Sequence, residues 1–243
     1  MKNYKREIKN RIEFIRETLV AAGADGIVYG NSGGKDSALV GILCKMACEN
    51  TVGLIMPCGI IRNYTTDKPD AAELAEHYGI ATRTVDLSGT RNELALTVGK
   101  KTQLTEAAAA NIAPRLRMTA LYAVAAAENR LVAGTGNKSE SYMGYFTKWG
   151  DGACDFNPVA DLTVTEVYEL LKFLEAPDFV IEKAPSAGLR DDQTDEDDMG
   201  ITYRSIDNYL RSGEANEHDK AIIEKHHDAS AHKRKMPLIY VEK

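Results

Sequence analysis

The residues Gly30-Asn31-Ser32-Gly33-Gly34-Lys35-Asp36-Ser37 follow an apolar run, Ile27 to Tyr29, and open directly into an apolar stretch from Ala38 to Met46. A glycine-rich turn between a strand and a helix leaves backbone N–H groups exposed at the helix N-terminus. With the Ser32 and Ser37 hydroxyls beside them, these groups are donors for an anion whose charge the helix dipole favours. Asp36 is the residue that does not suit a bare anion. A carboxylate inside a phosphate-gripping turn repels its ligand unless a divalent cation lies between them, so Asp36 reads as a Mg²⁺ ligand. The turn therefore predicts a metal-nucleotide site.

The order of residues narrows the ligand. The turn lacks the G-x-x-x-x-G-K-[ST] spacing of kinase and GTPase loops and the full G-x-G-x-x-G dinucleotide fingerprint. Instead, S-G-G-x-D-S behind a strand resembles the loop of the ATP pyrophosphatase enzymes, which split ATP between its α- and β-phosphates and activate a carboxylate or related group as an adenylate. That motif alone leaves several enzymes open. Its plainer reading is a glycine-rich turn with a capping serine and a solvated aspartate.

A second segment makes the resemblance specific. Gly134-Thr135-Gly136-Asn137-Lys138-Ser139-Glu140 is followed by Gly144-Tyr145-Phe146-Thr147-Lys148-Trp149-Gly150-Asp151-Gly152-Ala153-Cys154-Asp155. Taken with S-G-G-K-D-S, the pattern G-T-x-x-x-x-E and then G-x-F-T-K-x-G-D-G-x-x-D resembles the NAD synthetases, in the branch that carries no glutaminase domain. The resemblance runs from about residue 8 to the end and takes in Asn111 to Met118, Pro185 to Leu189, Asp195-Glu196 and His232 to Pro237. It implies that the nicotinate carboxylate of deamido-NAD attacks the α-phosphate of ATP, pyrophosphate leaves, and ammonia then attacks the nicotinyl adenylate. Charge in such a reaction develops mainly on phosphoryl oxygens, which metal, lysines and N–H donors meet without a protein nucleophile.

By the same resemblance, Gly30, Asn31, Ser32, Gly33, Gly34, Lys35, Asp36 and Ser37 hold the ATP phosphates, and Asp36 with Glu140 coordinates Mg²⁺. Thr135 touches ATP, as does Ser186, which stands where the family usually has Thr. Arg115, Lys148 and Asp155 contact deamido-NAD, and His232 and Lys233 return to it from the C-terminal segment. The implied fold is Rossmann-like, of the adenine nucleotide alpha hydrolase type, and family members are homodimers with this substrate near the interface. Two stretches depart from the family pattern. Val164 follows Leu162-Thr163 where the family often has a basic residue, and Thr135 to Glu140 differs from the common T-D-H-A-A-E. Glutaminase is absent from the chain, so free ammonia or a separate glutaminase partner supplies the nitrogen.

The elements that must position these residues alternate as expected for an α/β protein, a doubly wound parallel sheet with helices on both faces. Ile8, Ile12, Ile15 and Leu19 keep a helical period over about Asn3 to Ala22, and Gly23 supplies a left-handed stop. Helices are expected over Lys35 to about Glu49, about Asp67 to Tyr78, an alanine-rich stretch from about Glu106 to Asn129 broken or kinked at Pro114, and Thr163 to Leu174. Strands are expected at Ile27 to Tyr29, Thr51 to Met56, Ile80 to Val85 and Leu131 to Ala133. Right-handed crossovers then bring Gly30–Ser37 and the long loop Gly134–Gly152 to one edge of the sheet. One domain over residues 1–243, mainly helical from about 163, is the expected organisation.

With 243 residues, 44% of them hydrophobic, the chain can bury one substantial α/β core, and its net charge of −6 argues against a nucleic-acid or membrane-surface binder. No stretch reaches the roughly 18 apolar residues of a membrane span, and Met1 to Arg16 is a charged amphipathic pattern unlike a signal peptide, so a cytoplasmic protein is expected. Cys44, Cys48, Cys58 and Cys154 lack zinc spacing and read as core fillers or free thiols. The acids between Asp191 and Asp198 read as a solvated loop, of which Asp195 or Glu196 caps the next helix.

Overall fold

Asn3 opens the first helix, α1 (Tyr4–Ala22), by accepting a hydrogen bond from the Arg6 N–H, and Gly23 closes it at φ +61°. Both are the chemistry that orphan helix ends demand. The computed structural model describes residues 3–186 and 194–242. After α1 come β1 (Gly26–Gly30), α2 (Lys35–Ala47), β2 (Thr51–Ile55), a π-helical turn (Asn63–Asp67) running into α3 (Lys68–His77), and β3 (Ala81–Thr84). The next crossover holds α4 (Ser88–Gly99), α5 (Glu106–Ala110) and α6 (Ile112–Ala127) and leads to β4 (Arg130–Ala133).

The four strands are parallel in the order β3-β2-β1-β4. Ile27, Val28 and Tyr29 of β1 are all fully buried, because helices cover both faces and a parallel strand then reads as a continuous apolar run. Ile27 and Tyr29 belong to a core shared with Ile15 and Leu19 of α1 and with Leu39, Ile42 and Leu43 of α2. Val28, Val52 and Leu54 meet Met118 and Leu121 of α6 on the opposite face. Successive strands leave β1 in opposite directions, to β2 on one side and β4 on the other, so the switch point lies between β1 and β4.

The C-terminal portion is helical: α7 (Lys138–Met143), α8 (Val164–Phe173), α9 (Asp178–Glu182), α10 (Asp195–Met199), α11 (Tyr203–Ser212), α12 (Glu217–Ala229) and a 3-10 turn (Ala231–Arg234). Met143, Val164, Met199, Ile201, Tyr203, Ile206 and Ile223 form its core. Glu196 accepts from the Tyr203 N–H at 2.7 Å and so caps α11.

Four features differ from the sequence reading. Asp195 to Asp198, expected in a solvated loop, lie in α10, with Asp195 buried. The alanine-rich helix breaks at Asn111, between α5 and α6, while Pro114 sits in the first turn of α6, where its missing N–H would have had no helical acceptor. α4 was not expected, and it buries none of its residues. The loop after β4 contains a short helix, α7. The segment 187–193, holding the end of the Pro185–Leu189 motif and the first acids of the acidic cluster, lies outside the described residues.

Candidate active site

The loops leaving β1 and β4 face each other at the switch point and enclose a cavity of about 470 Å³, a size usual for small-molecule sites. The turn after β1 holds itself. The Asn31 amide donates to Ala71 O at 2.8 Å and accepts from the Gly33 N–H at 3.4 Å, tying the turn to α3. The Ser32 and Ser37 hydroxyls lie 3.0 Å apart, and Ser37 Oγ donates to Gly34 O. Gly33 adopts φ +72°, and a Cβ there would stand 2.6 Å from Asp67 O, so conformation and space both demand glycine. No side chain caps α2 at Gly34, which presents the start of that helix to an anion.

Glu140 reaches the turn from the other loop. Asn137 caps α7 in a capping box, accepting from the Glu140 N–H at 3.0 Å while Glu140 Oε2 accepts from the Asn137 N–H at 3.3 Å. The same asparagine donates from Nδ2 to Asp36 Oδ1 at 3.0 Å, joining the two loops. Lys35 Nζ lies 2.7 Å from Asp36 Oδ2 and 3.9 Å from Glu140 Oε1, with all three side chains largely buried. The two carboxylates thus converge on one cationic point. Burial by itself lowers the Lys35 pKa, but Asp36 and Glu140 outweigh it and the ammonium ends above its ordinary value. Burial, followed by the Asp36 charge, pushes Glu140 well above the usual carboxylate range, with Lys35 opposing.

Lys183, on the loop after α9, donates to Asp67 Oδ1 at 2.9 Å, Asp70 Oδ2 at 2.6 Å and Gly33 O at 3.4 Å, strapping the turn to α3. Thr135 and Ser186 line the same cavity, whose floor of Leu54, Met56, Met118 and Leu121 offers an apolar seat for a base. Val164 is buried in the C-terminal helical core, where its N–H donates to Ser139 Oγ.

The residues assigned to the acceptor divide. Lys233 lines the cavity and donates to Gly144 O and Phe146 O, each at 2.8 Å. Burial lowers its pKa despite the attraction of Asp151, and Arg115 and Arg234 add repulsion. Arg115, Lys148 and His232 are not among the residues lining the cavity and are linked to one another: Arg115 Nε donates to Lys148 O at 3.4 Å, and Lys148 Nζ to His232 O at 2.6 Å. Arg117 lines the cavity and is tied down there by donation to Met56 O and Asn63 Oδ1, whereas Arg115 is exposed and lies outside the lining. Asp155 fastens the loop to β4, its Oδ2 accepting from the Val132 N–H at 2.7 Å and its Oδ1 from Tyr122 at 3.1 Å.

Sequence reasoning missed Asn137 and Lys183. The N-x-x-E spacing of Asn137 and Glu140 is a capping-box signal that could have shown the first, whereas the pairing of Lys183 with Asp67 and Asp70 is long-range and leaves no local mark. Among the described residues, no cluster of three or more His, Cys, Asp or Glu is arranged to hold a metal. The carboxylate pair nonetheless fits Mg²⁺, which takes one or two carboxylates and completes its shell with water and substrate phosphates.

A glycine-rich turn at the switch point of a doubly wound sheet, faced by a carboxylate from the segment after β4, is the arrangement of a nucleotide-dependent α/β enzyme. A family model described as NAD synthase matches residues 7–240, and the chain belongs to that family. It is 42% identical over 240 residues, 98% of both chains, to the NH(3)-dependent NAD(+) synthetase of Carboxydothermus hydrogenoformans. An NMN synthetase structure from Francisella tularensis matches with a TM-score of 0.93 at 37% identity, covering 99% of each chain. The NH3-dependent NAD synthetase of Campylobacter jejuni matches with a TM-score of 0.82 at 31% identity, over 99% of this chain and 100% of that one. No helix among the described residues is long and apolar enough to cross a membrane.

Proposed function

We propose that this chain amidates deamido-NAD with ammonia and ATP, giving NAD, AMP and pyrophosphate through a nicotinyl adenylate. The observation that carries the reading is the convergence of Asp36 and Glu140, from the segments after β1 and β4, on one cationic point beside the uncapped start of α2. The turn, Thr135 and Ser186 bind ATP, and Asp36 with Glu140 holds Mg²⁺. When bound, that ion neutralises developing phosphate charge. The protein itself contributes alignment: α2 orients the phosphates, the apolar floor seats the base, and Arg115, Lys148 and Lys233 bring the acceptor's anionic groups to the α-phosphate. Asp155 and His232 shape the acceptor side through the contacts described above.

A homodimer accounts for the exposed leucines of α4. Leu94 and Leu96 stand 40% and 63% exposed, and a second copy of the chain covering that helix would bury them. The cytoplasm, where ATP and ammonium are both at hand, is the compartment this chemistry fits.

Purified protein given Mg-ATP, deamido-NAD and ammonium should yield AMP and NAD in equal amounts, and glutamine in place of ammonium should yield neither unless a separate glutaminase is present. No AMP with ammonium would refute the reading. The likeness to an NMN synthetase at 37% identity makes a mononucleotide the second acceptor to test. Comparing kcat/KM for the two acceptors in one assay decides between them.

A further inference from the structure

Lys35 occupies the position that the turn motif leaves unspecified, and it is the first residue of α2. It is 5% exposed, although a lysine on the first turn of a helix beside an open cavity could extend its ammonium to water. The side chain instead folds onto the paired carboxylates, at 2.7 Å from Asp36 Oδ2 and 3.9 Å from Glu140 Oε1, with the Tyr203 ring 5.4 Å from Nζ. Asn137 satisfies the other side of the pair through neutral donors, from Nδ2 to Asp36 Oδ1 and from its N–H to Glu140 Oε2. Each carboxylate is thus held by an uncharged group on one oxygen and turns the other toward the ammonium. A divalent ion held by Asp36 and Glu140 would compete with the ammonium for these carboxylates, and two cations this close in partly buried surroundings repel strongly.

We propose that Lys35 is a tethered counter-cation of the Asp36–Glu140 pair, which keeps the pair closed to a free divalent ion and opens it only when the ion arrives with a triphosphate. The phosphate charge then gives the ammonium an alternative partner, and metal and nucleotide binding become mutually dependent. The inference rests on the metal role given above to Asp36 and Glu140. It makes Lys35 a positioning residue toward the metal, in contrast to a plain structural ion pair, whose loss would change stability and leave metal affinity alone.

The test uses Mn²⁺ as the probe, with free ion counted by electron paramagnetic resonance. Wild type, Lys35→Met and Lys35→Gln are each titrated with and without a non-hydrolysable ATP analogue. Lys35→Gln keeps a hydrogen-bond donor beside Asp36, so it serves if the methionine variant does not fold. Without nucleotide, both uncharged variants should bind Mn²⁺ about tenfold or more tighter than wild type, and their melting temperatures should rise with Mn²⁺ while that of wild type stays flat. With the analogue, the gap should close. If wild type takes up Mn²⁺ with the analogue and the variants bind the free ion no tighter than wild type, the counter-cation role is wrong while the metal reading stands. If none of the proteins takes up Mn²⁺ with the analogue, the metal reading fails and the inference with it.

Discussion

In the half of the site proposed to bind ATP, Asn31, Lys35 and Ser37 are 2%, 5% and 2% exposed, and each side chain already has a protein partner. In the half assigned to the acceptor, Arg115 and His232 stand at the surface, and the visible contacts of Arg115 and Lys148 run to backbone carbonyls. The difference separates two ways of building a charged site. Side chains pinned by the fold fix the shape of the turn before any ligand arrives, whereas exposed basic side chains must be ordered by ligand or by a second copy of the chain, at a cost in entropy.

The comparison is broken most severely at Asp36. Asp36→Asn should lower turnover by roughly 10³-fold, the scale of losing a preorganised charge-stabilising group, with an unchanged circular dichroism spectrum. Near-normal rates at saturating Mg²⁺ would show that the ATP half does not depend on this carboxylate. The acceptor half should respond in binding. Arg115→Ala removes a charge-assisted contact worth about 1.5–3 kcal/mol, so KM for the acceptor should rise roughly 10- to 100-fold while KM for ATP stays put. Parallel rises in both constants would mean that the halves are not separable.

Asn137→Ala sharpens the comparison by cutting the link between the loops. Loss of the α7 cap should cost about 1–2 kcal/mol, read as a melting temperature lower by a few degrees, with KM for ATP affected more than KM for the acceptor. The smallest effect belongs to a charge cluster outside both halves. Hydrogen bonds from Arg83 and then Arg130 hold the Glu128 carboxyl at about 2, below its ordinary 4.5. A carboxylate depressed in this way stabilises the fold above the unfolded-state value, and that contribution is lost as the pH falls through about 2. Glu128→Gln should therefore flatten the acid limb of a melting-temperature profile slightly and leave both KM values unchanged.

The contrast between the halves also explains what could be read in advance. Strands β1 and β2 announced themselves as apolar runs because both faces are covered, and the phosphate turn did so because its glycines and Asp36 have no substitute chemistry. Helix α4 was silent: it buries no residue, so its sequence carries no stripe for periodicity to reveal. Helix α7 was hidden in a glycine-rich loop because it is only six residues long. The helix break was expected at Pro114 and falls at Asn111, since proline is tolerated in the first turn of a helix and does not itself mark the end of one. The motif marked Asp155 for the acceptor but could not show its contacts with the β4 backbone and Tyr122, which arise only in the fold.

The most direct measurement is the fate of oxygen in the acceptor. Deamido-NAD carrying oxygen-18 in its nicotinate carboxylate is turned over with ATP and ammonium, and AMP and pyrophosphate are separated for mass spectrometry. If the carboxylate attacks the α-phosphate held above α2, one labelled oxygen appears in each AMP and none in pyrophosphate. Label in pyrophosphate, or NAD formed with unlabelled AMP, would contradict the adenylate and the alignment of the two halves on which it depends.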